Sequence, residues 1–175
     1  MEPAAPQPIL SSDRESRFLS AYDAYVKSIY RYIYYRTGQE KADAEELTQE
    51  VFMRTWAYLQ KGERPIEELR AFLFQVARHV IADRWRRHKP TIALEDVDPA
   101  EEPHTEAASP ASVDMIILEQ HLLALPEKYR EVLTLRYIND MTTEDAGKML
   151  GMTANHVAVL TNRALNKLRK MLPES

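Results

Sequence analysis

Apolar residues return every three or four positions through most of this chain, and no stretch alternates apolar with polar long enough to make a strand. The pattern predicts an all-α protein. Its first block holds three long helices. Phe18, Tyr22, Tyr25, Ile29 and Ile33 form one stripe over residues 16–36; Thr37 and Gly38 end it, with Gly38 suited to a left-handed cap. Over residues 41–60 the stripe is Ala44, Leu47, Val51, Thr55 and Leu59. Asp43, Glu45 and Glu46, in the first turns, suit the positive end of that helix dipole. Residues 61–65 (Lys, Gly, Glu, Arg, Pro) break the periodicity. Leu69, Phe72, Leu73, Val76, Ala77, Val80 and Ile81 then line a third helix over residues 67–88, which Pro90 terminates.

A second block holds four shorter helices. The first covers residues 115–125. Pro126, tolerated at a helix start, opens the second over 127–138. Asn139 and Asp140 make a turn. Thr142 can cap a helix over 143–150, with Asp145 completing a short-armed capping box. After a tight turn at residues 151–153, Thr153 caps a final helix over 154–172 whose last turns carry Arg163, Lys167, Arg169 and Lys170.

Between the blocks, residues 91–114 carry three prolines, seven acids, no Lys or Arg, and few large apolar side chains. Such a stretch cannot bury enough surface to offset its ordering entropy, so it reads as a self-repelling linker. It would average roughly 25–30 Å end to end and reach about 80 Å. The expected organisation is a disordered tail at 1–14, a helical domain at 15–90, the acidic linker at 91–114 and a second helical domain at 115–173. Net charge is −4, but it is unevenly placed: +2 over residues 1–90, −7 over the linker and +1 beyond it.

Composition removes several chemistries. There is no cysteine, so no disulfide scaffold, thiolate zinc site or cysteine nucleophile. The four glycines are well separated, which argues against a phosphate-cradling loop. The histidines show no metal-ligand spacing, and no apolar run is long enough to span a membrane. The tail carries no basic, apolar signal, so a cytoplasmic protein is expected.

Three segments carry candidate function. Within residues 143–162, Gly147, Gly151 and Val157 stand at spacings of four and six. They supply a close-contact residue, a residue tolerant of positive φ, and a branched apolar residue, as two helices packed near a right angle require. Ala146, Leu150, Met152 and Leu160 fill the shared core. This predicts a helix-turn-helix, against the plainer reading of an ordinary helical hairpin. In such a unit the second helix enters the major groove. Asn155, His156, Val159, Asn162 and Arg163 are its candidate base-reading residues, and Thr142, Thr143 and Lys148 its phosphate contacts.

The second segment ends the third helix. Arg78, Arg84, Arg86, Arg87 and Lys89 surround Trp85 with one acid, Asp83, among them. Bases beside an aromatic suit a single-strand-binding surface, although a solvated charged face with Trp85 packed inward has the same spacing. His79 and Asp83, four apart, can pair on one face. The third segment, residues 43–52, packs four acids into ten positions. It suits either a basic protein partner or plain solvation. The six tyrosines at residues 22–35 read as a core face with solvated hydroxyls.

Taken in order, these segments resemble a bacterial sigma factor of the extracytoplasmic-function class, over residues 16–172. Residues 43–52 are similar to that family's polymerase-binding helix, which implies that Asp43, Glu46, Leu47, Gln49, Glu50 and Phe52 contact core RNA polymerase. Residues 71–87 resemble its promoter-melting, minus-ten-reading helix, implying minus-ten contacts from Arg78, His79, Arg84, Trp85, Arg86 and Arg87. Lys61 and Arg64 would then belong to a loop that holds a flipped non-template base. Residues 125–133 and the helix-turn-helix resemble its minus-35-reading domain. Where the family places Lys and Arg after the position of Val157, this chain has Ala158 and Leu160, which implies fewer phosphate contacts.

The resemblance implies a non-enzymatic transcription initiation factor whose partners are core RNA polymerase, promoter DNA and an anti-sigma protein. No cofactor, metal, membrane insertion or small-molecule substrate is expected. A stand-alone helix-turn-helix regulator and a helical sequestering protein are the alternatives. A hydrolase built on His79 or His121 has no nucleophile to work with.

Overall fold

The computed structural model describes residues 9–62, 65–88 and 115–171, and every regular element among them is helical. The helices are α1 (Ile9–Arg36), α2 (Lys41–Lys61), α3 (Leu69–His88), α4 (Met115–His121), α5 (Glu127–Leu133), α6 (Thr143–Leu150) and α7 (Ala154–Met171). They fall into two compact units, Met1–Val80 and Ile81–Ser175, the division lying within α3. The linker expected at 91–114, together with Arg64 and Lys89, lies outside the described residues.

In the first unit α1 and α2 run antiparallel. Phe18 packs on Trp56 with ring centroids 5.0 Å apart, and Tyr22 on Phe52 at 4.8 Å. Ile29, Ile33, Ala44, Leu47 and Val51 are buried between the helices. α3 joins through aromatic contacts, Phe74 against Tyr32 at 5.2 Å and Phe72 against Tyr58 at 4.8 Å. Gly62, at φ 63°, caps α2 in the left-handed conformation that any Cβ would strain.

Three expectations for this unit need correcting. Helix α1 starts at Ile9, directly after Pro8, and so takes up much of the segment expected to be a disordered tail. Tyr22, placed in the core stripe, is 43% exposed, whereas Tyr32 is fully buried. Its hydroxyl is not solvated: it accepts a 2.6 Å hydrogen bond from Arg36, itself buried. A hydroxyl taken from water needs such a partner, and a guanidinium one turn away supplies it.

The second unit packs α4 to α7 around Leu118, Leu122, Leu133, Leu135, Val157, Ala164 and Leu168. Its first helix is shorter than expected. α4 stops at His121 and a 3-10 turn, Leu122–Ala124, follows. Leu125 is extended at φ −80°, ψ 147°, because the ring of Pro126 disfavours a helical residue before it. The second helix also departs from the periodicity. After Leu133 it widens to a π turn, Thr134–Ile138, in which the Asn139 amide donates to the Thr134 carbonyl. The Arg136 guanidinium donates to the Met141 carbonyl and so braces the turn that leads into α6.

Candidate functional site

On α2 the acidic decad divides into two sets. Glu46 and Gln49 are exposed, while Asp43 and Glu50 are half-buried. Glu50 pairs with Arg54 at 2.5 Å, one turn on. Leu47 and Phe52, counted with the docking face, are instead 2% and 4% exposed and belong to the α1–α2 core. The helical stripe that includes Ala44 and Val51 carries them inward. Apolar surface on this side comes from residues the sequence did not single out. Met53 is 71% exposed and Leu19 53%. Only Met53's position off the buried stripe could have marked it. An open groove of about 570 Å3 is lined by Tyr22, Val26, Tyr30, Glu45, Thr48 and Gln49, with Lys27 and Arg31 at its basic side.

Helix α3 does not present all its bases together. At 100° per residue, Arg78, His79 and Arg86 share the arc opposite buried Leu73, Ala77, Val80 and Ile81, with half-buried Trp85 at its edge, about 20° from buried Phe74. Arg84 continues the buried stripe's own side and is half-buried, and Arg87 stands next to that side, exposed. Asp83, considered as a partner for His79, accepts a 2.5 Å bond from Arg86. That pair is exposed, holds little free energy, and leaves Arg86 able to exchange its partner for a phosphate. Lys61 is exposed at the end of α2.

The helix-turn-helix is present as read. The Thr142 hydroxyl accepts the Asp145 amide at 3.1 Å, and that of Thr153 accepts the His156 amide at 3.2 Å, so both helices are capped. Gly151 takes φ 68° in the turn. A Cβ on Gly147 would stand 2.6 Å from the Met152 carbonyl oxygen, which accounts for a glycine inside α6. Val157 and Leu160 are buried, so of the two positions where a base was missed Leu160 is part of the packing seam, while Ala158 is half-buried. Leu150 and Met152, expected inside, are only half-buried.

The five candidate reading residues are brought together. Asn155, His156, Val159, Asn162 and Arg163 occupy one arc of α7 opposite Val157, Ala164 and Leu168, the first two exposed and the other three half-buried. At the start of α6, Thr142 is exposed, as is Lys148 further along, and the Thr143 hydroxyl donates to Glu144 at 3.1 Å. The Glu144 carboxyl is held below its usual range, first by its own backbone amide, then by the Thr143 and Thr142 hydroxyls and the Arg136 charge. Arg136, absent from the sequence reading, thus supports this helix start twice. Among the described residues no group of three or more acids and histidines is placed to hold a metal ion, and no helix is long and apolar enough to cross a membrane.

Known proteins share this arrangement. Residues 21–91 match the Sigma-70 region 2 family and residues 122–170 match Sigma-70 region 4. The ECF RNA polymerase sigma factor ShbA of Streptomyces griseus is 33% identical over 141 residues, covering 77% of this chain and 74% of that protein. The chain is a sigma factor of the extracytoplasmic-function class. SigM of Bacillus subtilis, from the same class, is 28% identical over 152 residues, or 86% of this chain and 91% of SigM. In fold the sigma factor resembles RpoE of Bartonella quintana, solved in complex with the anti-sigma factor NepR. That likeness has a TM-score of 0.65 at 21% identity and covers 88% of this chain and 95% of that one. CnrH, solved with the cytosolic domain of CnrY, gives a TM-score of 0.62 at 20% identity, covering 93% and 94%. The protein is therefore a transcription initiation factor that binds core RNA polymerase and promoter DNA.

Proposed function

We propose that this sigma factor distributes its work over three separate faces. The acidic face of α2, with exposed Glu46 and half-buried Glu50 central, docks on a basic surface of core polymerase. The arc of α3 with Arg78, His79, Trp85 and Arg86 holds the melted minus-ten strand, by phosphate pairing and base stacking. Lys61 and its neighbours in the α2–α3 connection receive a flipped base, because reading an extruded base takes a pocket rather than a groove-filling helix. Asn155, His156, Val159, Asn162 and Arg163 read the minus-35 element in the major groove, where Asn suits adenine and Arg suits guanine. Thr142, Thr143 and Lys148 set the register on phosphates.

One observation carries this reading: a single chain holds a region 2 match with an exposed acid face and a region 4 match with all five reading residues on one arc. Leu160 packs inward where the resemblance implies a base, so upstream affinity of the free protein is low. Core polymerase supplies it by holding both units at promoter spacing, which turns two weak contacts into one tight complex. The factor acts without catalysis of its own and in the cytoplasm. A protein of like fold was solved with an anti-sigma factor, which supports a regulatory partner of that kind here.

The test is run-off transcription with purified core polymerase. Specific transcripts that need this protein are expected. Binding to a palindromic duplex with no polymerase present would favour the stand-alone regulator instead.

A further inference from the structure

Asn139, Asp140 and Met141 join the π turn to Thr142, the cap residue of α6, and the π turn grips this connection from three successive positions. The Asn139 amide donates to the Thr134 carbonyl and the Met141 amide to the Leu135 carbonyl, both at 3.0 Å. The Arg136 guanidinium donates to the Met141 carbonyl. Met141, 2% exposed, is thereby tied through its amide and its carbonyl to consecutive residues of one turn. Asp140 takes φ 49°, a left-handed conformation that persists where the flanking groups are fixed.

The Met141 carbonyl shares a peptide plane with the Thr142 amide, so whatever holds it sets the first residue of α6. From there a line of backbone contacts runs to the α7 arc. The Thr142 hydroxyl caps α6 on the Asp145 amide at 3.1 Å, and the Met152 amide donates to the Gly147 carbonyl at 2.9 Å. Gly147 lets α6 and the turn before α7 meet with no side chain between them. A displacement at Met141 is therefore passed on to α7, because no side chain stands in the line to swing and absorb it. Arg136 itself is half-buried, and its Nε is buried with no hydrogen-bond partner among the described residues. One edge of its fork is thus closed to a phosphate.

We propose that Arg136 is a positioning residue for upstream promoter reading: by holding the Met141 carbonyl it fixes the start of α6 and, through Gly147 and Met152, the angle at which the α7 arc enters the major groove. The inference rests on the assignment of that arc to the minus-35 element given above. In this role Arg136 touches no DNA and acts through backbone. Contacts to base edges need side chains held to about half an ångström, so a loosened α6 costs base preference before it costs phosphate affinity.

The experiment uses holoenzyme assembled from core polymerase and the full chain, with duplexes randomised over the minus-35 element. Sequencing of the bound fraction reads the enrichment of the best over the worst base at each position. A salt series on one fixed duplex gives the slope of binding. Arg136→Met keeps the length of the side chain and donates nothing. It is expected to lower enrichment about fivefold or more at several positions and to leave the salt slope unchanged. Arg136→Lys retains a donor for the Met141 carbonyl and should hold enrichment within about twofold of wild type. Circular dichroism gives the folded fraction that corrects each value. If Arg136→Met does not fold, Arg136→Gln, polar but too short for the carbonyl, takes its place. A profile kept once folded molecules alone are counted would leave the arginine a stabilising role and overturn the proposal. A slope lowered by about one with the profile kept would make it a phosphate contact and overturn it too. Asn155→Ala with Arg163→Ala tests the arc directly. If that pair flattens the profile and Arg136→Met does not, the arc stands and the positioning role falls. If Arg136→Met flattens it and the pair does not, the positioning role stands and the arc is wrongly assigned.

Discussion

The α-carbon of Gly147 faces the carbonyl oxygen of Met152 so closely that an alanine Cβ would approach it to 2.6 Å. The obstacle is backbone in a capped turn, so it cannot swing aside. Gly147→Ala gains about 1 kcal/mol of helix propensity but must wedge α6 from α7. A net destabilisation of about 1–2 kcal/mol is expected, measured by chemical denaturation. Minus-35 binding should fall further than stability, because the angle between the helices sets the reading arc.

Charge reversal at Glu46 or Glu50 should weaken competition for core polymerase roughly tenfold. The core residues of the same helix should behave differently. Leu47→Ala and Phe52→Ala are expected to cost about 2–5 kcal/mol of stability. Any loss of polymerase binding should then track unfolding. Equal competition by Glu46→Lys would reject this face.

On α3, Arg78→Ala and Arg86→Ala should slow open-complex formation and lower the salt dependence of promoter binding by about one unit of slope each. Arg86 has to leave Asp83 to reach a phosphate, so Asp83→Asn should raise opening. Permanganate reactivity of melted thymines is the measurement.

For the upstream element, Asn155→Ala and Arg163→Ala should each relax base preference at one position by about 1–3 kcal/mol. Lys148→Ala should weaken all sequences alike. Selection from a randomised minus-35 library separates the two behaviours.

Glu144 gives a pH prediction. A carboxyl held below its usual value of 4.5 stabilises the fold above that value and loses the contribution as pH falls through its lower folded value. Glu144→Gln should therefore lower the second unit's stability near neutrality and flatten its acid limb, the two proteins converging as pH falls below the folded value. An unchanged acid limb, followed by circular dichroism, would show that the helix start does not depend on this charge.

Much of this protein follows from nearest-neighbour arithmetic along the chain. Helix number and type, the caps at Thr142 and Thr153, the left-handed turn at Gly151 and the common arc of the α7 residues need only 100° per residue and the chemistry of a few turn formers. Periodicity also tells that one side of α1 is buried, but not which of two adjacent aromatic stripes a second helix covers. Packing against α2 and α3 decides that, and it buries Tyr32 and Phe52 while leaving Tyr22 and Met53 open. Arg36 on Tyr32 is one turn apart yet becomes obligatory only once packing excludes water. The hydrogen bonds from Arg14 and Arg17 to the carbonyls of Gln60 and Ile66, 46 and 49 positions away, and the turning of Leu160 into the seam, arise from contacts between elements. No local pattern encodes these, because each is a property of two surfaces meeting rather than of either alone.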